Sequence, residues 1–146
     1  MALHDPSIHG LCVSGLLVVC LSSLAGCHSD RIKTWPVKGR VQFEDGRAVK
    51  IGVIELESID HKTTATGRIG EDGSFVLGTY ESEDGAVAGT HRVIVLQLIM
   101  NDMGVRHTRD HGHPVPSRYA TYDTAGLSAV VEEKNSNFLT ITLQQN

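Results

Sequence analysis

An all-β fold, an antiparallel sandwich of seven strands, is what this sequence predicts. Three observations predict it. Short runs of alternating apolar and polar residues recur from residue 37 to residue 143. Turn-forming residues, Asp-Gly pairs above all, separate the runs at regular spacing. Sustained helical periodicity is missing between them, and only a single helical turn around residues 117–120 is expected.

Residues 37–43 (VKGRVQF) place Val37, Gly39, Val41 and Phe43 on one face and Lys38, Arg40 and Gln42 on the other, the pattern of a half-buried strand. Asp45-Gly46 then supplies a tight turn. Residues 51–57 form a second strand, apolar on both faces and so central. Strands three and four, residues 64–70 and 74–80, are joined through Asp72-Gly73 as a hairpin. The fifth, residues 91–98, is nearly continuous Val, Ile and Leu. Residues 127–132 and 137–143 complete the set around a turn at Lys134-Asn135-Ser136, with Leu139, Ile141 and Leu143 alternating against Thr140 and Thr142.

Ahead of the sandwich lies a different kind of segment. Residues 11–25 (LCVSGLLVVCLSSLA) are an apolar run shorter than the roughly 20 residues a spanning helix needs. They end in Leu24-Ala25-Gly26-Cys27, which resembles a bacterial lipobox. Small residues before a cysteine suit a signal peptidase, and the new N-terminal cysteine then carries lipid. The expectation is cleavage between Gly26 and Cys27 and lipidation of Cys27. One acyl chain anchors only marginally, whereas the several chains of such a lipoprotein anchor stably. The first ten residues carry no Lys or Arg and include Asp5, a departure from the usual basic start of an export signal. Residue 28 is His; Asp there often marks inner-membrane retention in such lipoproteins, so His28 points to the outer membrane.

Cysteine usage agrees with export. Cys12 and Cys20 fall in the segment to be removed and Cys27 is the lipidated residue, leaving neither thiol nor disulfide in the mature chain. The domain must therefore be stable by its core alone. About 120 residues form one domain that buries about two thirds of its unfolded surface. Without Asp5, 13 basic residues stand against 16 acidic ones. This well-mixed surface, with no basic patch, excludes nucleic acid as a partner. The organisation read is a signal peptide over 1–26, a lipidated cysteine and tether over 27–36, and a β-sandwich domain over 37–146.

The strand motifs carry a resemblance. Residues 37–47 (VKGRVQFEDGR), 69–80 (IGEDGSFVLGTY), 84–89 (DGAVAG) and 92–95 (RVIV), with Pro116-Ser117-Arg118-Tyr119 and Thr124-Ala125-Gly126-Leu127, resemble small exported lipoproteins with a carboxypeptidase regulatory-like, transthyretin-like domain. The likeness spans residues 24–143. It implies a transthyretin-like (prealbumin-like) sandwich and carries no catalytic residues. Where the family has Tyr entering the fifth strand, this chain has His91, and Arg118 stands where Lys is more usual.

Chemistry concentrates in residues 100–117 (MNDMGVRHTRDHGHPVPS), longer than an ordinary hairpin connection. His107, Asp110, His111 and His113 are candidate metal ligands, with Met100 and Met103 upstream. Imidazole with carboxylate suits zinc, and imidazole with thioether suits copper. The alternative is a solvated polar loop. His91 reads as a half-buried strand residue bonded to a neighbour. Glu55 and Glu57 share one strand face, where Lys or Arg across the ladder would satisfy them. Nucleophile elbow, zinc-protease and phosphate-loop motifs are missing. No cofactor and no enzymatic activity are therefore expected. The chain reads as a cell-envelope lipoprotein, held to a membrane by its lipid on the periplasmic side or at the outer membrane. Its sandwich would bind an envelope protein or glycan, or, alternatively, zinc or copper through the histidine-containing loop.

Overall fold

The structure, a computed structural model, describes residues 31–97 and 112–145. Nine strands form among them: β1 (Thr34–Trp35), β2 (Val37–Phe43), β3 (Gly52–Ser58), β4 (Thr64–Ile69), β5 (Ser74–Val76), β6 (Ala86–Val87), β7 (Gly89–Gln97), β8 (Leu127–Val131) and β9 (Asn137–Leu143). A 3₁₀ turn (Ser117–Ala120) and a one-turn helix, α1 (Tyr122–Ala125), precede β8. The strands make a four-stranded sheet in the order β4-β3-β7-β8, a three-stranded sheet in the order β5-β2-β9, and the small pair β1-β6. The architecture is all-β, and residues 32–146 make up one unit.

Alternation decides which face each strand buries. Val37, Gly39, Val41 and Phe43 of β2 turn inward, as do Ile54 and Leu56 of β3, Val93 and Val95 of β7, and Ile141 and Leu143 of β9. The two larger sheets thus share one apolar core, to which Phe75 and Leu77 add from the β5 side. Full burial of a side chain of this size contributes about 1.5–3 kcal/mol. Gly39 is required by packing: a β-carbon there would collide with the Leu139 carbonyl and the Phe75 ring.

Four sequence expectations need correction. The sheets are not wholly antiparallel, because β9 runs parallel to β2 along its full length, from Val37 opposite Asn137 to Phe43 opposite Leu143. The cause is a crossing at residues 132–136: β8 ends in one sheet and β9 begins in the other, so it never folds back on β8. Buried Asn137 fixes that crossing. Its amide nitrogen donates to the carbonyls of Pro36 (3.3 Å), Glu132 (3.0 Å) and Lys134 (3.3 Å), and its oxygen accepts the Glu132 N–H at 3.0 Å. Among the described residues the strands number nine rather than seven, since Ala86–Val87, read as loop, pairs with Thr34–Trp35, read as tether. Strand β5 stops at Val76 rather than residue 80. Beyond it Leu77 donates to the Val37 carbonyl while Gly78 bonds Thr66 on β4, so the chain leaves one sheet for the other. The second strand begins at Gly52, because Ile51 holds a left-handed φ of 53°.

Candidate functional site

Strand direction gives the sandwich two chemically different ends. The start of β2, the end of β3 and the start of β9 share one end with β1 and β6. The end of β2, the end of β7 and the end of β9 lie at the other, with the base of the histidine-containing loop.

Gln97, the last residue of β7, closes that base. Its Nε2 donates to the carbonyls of Lys50 (3.2 Å) and His113 (3.3 Å), and its Oε1 accepts the Val115 N–H at 2.9 Å. One side chain thereby ties the outgoing strand to the returning chain. The backbone of residues 112–115 is held although a long connection precedes it.

His113 projects from this base. Its ring packs edge-on to Phe43, with centroids 6.4 Å apart and planes at 84°. Its Nε2 accepts from Nη1 of Arg47. Arg47, placed by the turn after β2, also donates through Nε to Asp45 Oδ2 at 2.7 Å and through Nη2 to Gln145 Oε1 at 3.1 Å. The guanidinium holds the Asp45 carboxyl below its ordinary range, mainly by that side-chain bond. The Nε2 lone pair of His113 is engaged by a cation, so a metal ion there would have to displace Arg47. Of the other proposed ligands, His107, Asp110 and His111 lie outside the described residues, as do Gly26 and Cys27. Among the described residues, no group of three His, Cys, Asp or Glu side chains is arranged to hold a metal ion.

The carboxylate pair on β3 has partners. Glu57 lies directly across the ladder from Arg92 and accepts from its Nε at 3.1 Å. Glu55 accepts the Tyr122 hydroxyl at 2.7 Å, and burial together with that bond raises the Tyr122 pKa well above its ordinary value. Arg92 also sits 4.9 Å from the centre of the Tyr122 ring. The expectation of a cross-strand basic partner is met at Glu57; at Glu55 the partner is a tyrosine from α1.

His91 is 1% exposed, inside the opposite end of the sandwich and level with buried Ser58 on β3. Its Nδ1 bonds the Gly89 carbonyl at 3.1 Å, the local bond expected, but the residue is fully buried rather than half-buried. Desolvation lowers its pKa from the ordinary 6.5.

A groove of about 970 Å³ runs along the side where β4 and β5 meet, lined by Lys38, Arg68, Val76, Tyr80, Glu83 and Phe138 among others. Asp84 shapes its wall, its carboxylate accepting the N–H groups of Thr79 (2.6 Å), Tyr80 (3.2 Å) and Glu81 (3.2 Å). Sequence reasoning missed both this groove and the Gln97 clamp. A lone Gln at a strand end has no sequence signal, whereas Asp84 five residues after Thr79 is a spacing an Asp-capped loop could have suggested.

No family model matches the chain, and neither a curated protein nor a solved structure matches it.

Proposed function

We propose that this chain is a cell-envelope lipoprotein, cut before Cys27 and lipidated on it, whose transthyretin-like sandwich is a non-catalytic binding or structural module. The observation that carries the reading is Leu24-Ala25-Gly26-Cys27 at the end of an apolar run too short to span a bilayer. The first strand, β1, starts seven residues after Cys27, at Thr34, which leaves only a short tether between lipid and fold. Among the described residues, no helix is long and apolar enough to cross a membrane. In this reading the seven longer strands are the frame of the transthyretin-like fold, and the β1-β6 pair is an addition at the tether end.

A binding role is favoured over an enzymatic one by what the polar side chains are doing. Glu55 and Glu57 are engaged by Tyr122 and Arg92, and His113 by Arg47. None of these is poised as a free base beside a nucleophile. The groove along β4 and β5, with Tyr80 and Phe138 beside Lys38 and Arg68, has the mixed aromatic and polar lining that suits a glycan or an envelope protein.

The test is the intact mass of the membrane-extracted protein. Expected is a chain beginning at Cys27 and heavier by a diacylglyceryl group, with processing lost in Cys27→Ser. A chain retaining residues 1–26, or a mature Cys27 without lipid, would overturn the reading.

A further inference from the structure

The two long sides of the sandwich are finished differently. On one side the edge strand β4 is tied to the chain just beyond the edge strand β5 by the bridge between Thr66 and Gly78. On the other, β8 and β9 end their sheets, and among the described residues no strand pairs with their outer sides. Natural edge strands are usually shielded by charge, proline, a bulge or shortness. Strand β9 (NFLTITL) is seven residues long with no charged residue and no proline. β8 (LSAVV) is equally uncharged. Among the described residues the two most exposed large apolar side chains, Phe138 (70%) and Val130 (58%), stand on these two strands.

The ladder fixes which backbone groups are free. Asn137 N–H donates to the Pro36 carbonyl and the Leu143 carbonyl accepts from Glu44 N–H. In a parallel ladder this parity sends the backbone groups of residues 137, 139, 141 and 143 toward β2. Those of Phe138, Thr140 and Thr142 point away from it, and their side chains lie on the exposed face.

We propose that β9 is a self-association edge, two copies of the chain pairing antiparallel through it on a two-fold axis at Thr140. Centring on Thr140 engages all three outward residues: each Thr140 exchanges its N–H and C=O with its counterpart, and Phe138 of each copy does so with Thr142 of the other. Centring one residue away engages only two. The side-chain partners are then Phe138 against Thr142, an aromatic beside a β-branched residue, a favoured cross-strand pair. Charge selects the antiparallel sense. Glu133 lies just before β9, and Arg118 sits at its far end, donating to the Gln144 carbonyl at 2.7 Å. Neither has an opposite charge as partner among the described residues. Antiparallel pairing brings the Glu133 end of one copy to the Arg118 end of the other, whereas parallel pairing sets like beside like. A second copy fits this edge because the edge is complementary to itself, which is the condition for a closed two-fold dimer. Pairing through β9 requires no lipid on the chain.

The experiment uses the full chain in detergent solution. Sedimentation at micromolar to 100 micromolar concentrations should show a monomer–dimer equilibrium, weakened at least tenfold by Thr140→Pro. That change deletes an outward N–H and leaves the ladder to β2 intact. Thr140→Lys, which sets like charges face to face, should act in the same direction, with thermal unfolding confirming that both variants fold. The Thr140→Cys variant, once oxidised, should form a disulfide joining two copies through the introduced thiols, identified by peptide mass. Phe138→Cys and Thr142→Cys should link to each other in a mixture, and neither to itself. A wild-type chain that stays monomeric at 100 micromolar would overturn the proposal. So would a dimer indifferent to both the Pro and Lys variants, or a Thr140→Cys chain that links no faster than Thr64→Cys on β4.

Discussion

Buried His91 should make the domain lose stability as the pH falls below 6.5. Its imidazole is 1% exposed, level with Ser58, and its one bond among the described residues runs from Nδ1 to the Gly89 carbonyl. A proton added at Nε2 would create a buried cation with a new N–H and nothing described to accept it. Desolvation is the leading cause of the lowered pKa; the Gly89 bond and Asp60 act against it, and His61 reinforces it. The sign follows directly. Above pH 6.5 the imidazole is neutral in both states and costs nothing. As pH falls below 6.5 the unfolded chain takes up the proton first, so stability is lost until the folded-state pKa is passed. Within that window the slope is at most about 1.4 kcal/mol per pH unit, the limit for one proton. For a domain of this size that lowers Tm by at most about 6 °C per unit.

The assay is thermal or urea unfolding from pH 7.5 to 4.5, comparing wild type with His91→Leu. The substitution keeps an apolar side chain of similar bulk but removes the bond to Gly89, so at pH 7.5 the variant should lie within about 1.5 kcal/mol of wild type. Below pH 6.5 the two curves should converge. The comparison isolates one residue, since Asp45 and Asp72, held below 3.8 by Arg47 and Ser74, lose their contribution at lower pH. Parallel curves between pH 6.5 and 4.5 would refute the reasoning.

Three further outcomes follow from the packing. Gln97→Leu should speed proteolysis within residues 98–111 several-fold and cost about 1–3 kcal/mol in urea unfolding, because the three bonds from Gln97 to the Lys50 and His113 carbonyls and the Val115 N–H are lost. Gly39→Ala should cost about 1–3 kcal/mol by overpacking against Leu139 and Phe75, read as a lowered Tm. Arg92→Ala should cost under about 1 kcal/mol, as an ion pair at the surface of the ladder does, and a larger loss would mean that its packing on Tyr122 dominates. For the metal reading, His113→Ala should leave zinc or copper affinity unchanged in a calorimetric titration, since Arg47 already occupies Nε2; a tenfold loss would overturn that.

What the sequence made legible was local. Two-residue alternation is a property of neighbours, so the span of β2 could be read from Val37 to Phe43 and that of β9 from Asn137 to Leu143. Pairing is a property of distant segments. Nothing in residues 137–143 says that they lie beside residues 37–43 rather than beside β8, and a turn at Lys134-Asn135-Ser136 gives no sign of a crossing to the other sheet. The crossing depends on Asn137 reaching Pro36, a contact across 101 positions. The β1-β6 pair was illegible for another reason: two residues cannot display a period. At the candidate site the histidines were visible by type, but whether His113 is free to bind depends on Arg47, 66 positions earlier.

The division of the sandwich into two ends gives the anchor reading a spatial consequence. The chain enters at the β1 end, while the Gln97 clamp and His113 sit where β2, β7 and β9 finish. A seven-residue strand at about 3.3 Å per residue separates those ends by about 23 Å. In the proposed reading, with Cys27 held in a membrane, the reach of residues 28–33 limits how far the β1 end can lie from the lipid. An antiparallel β9 pair behaves differently, because its two-fold axis lies across the strand and directs the two β1 ends oppositely. Two chains anchored in one leaflet could not both sit upright and pair through Thr140 unless the tethers stretched along the sandwich. Residues 28–33 extend at most about 21 Å, close to the length to be covered. Dimerisation through β9 should therefore be stronger in detergent than in a single leaflet. Inserting ten residues after His28 should raise the disulfide yield of the Thr140→Cys variant in vesicles to its yield in detergent, and a yield unaffected by tether length would contradict this geometry.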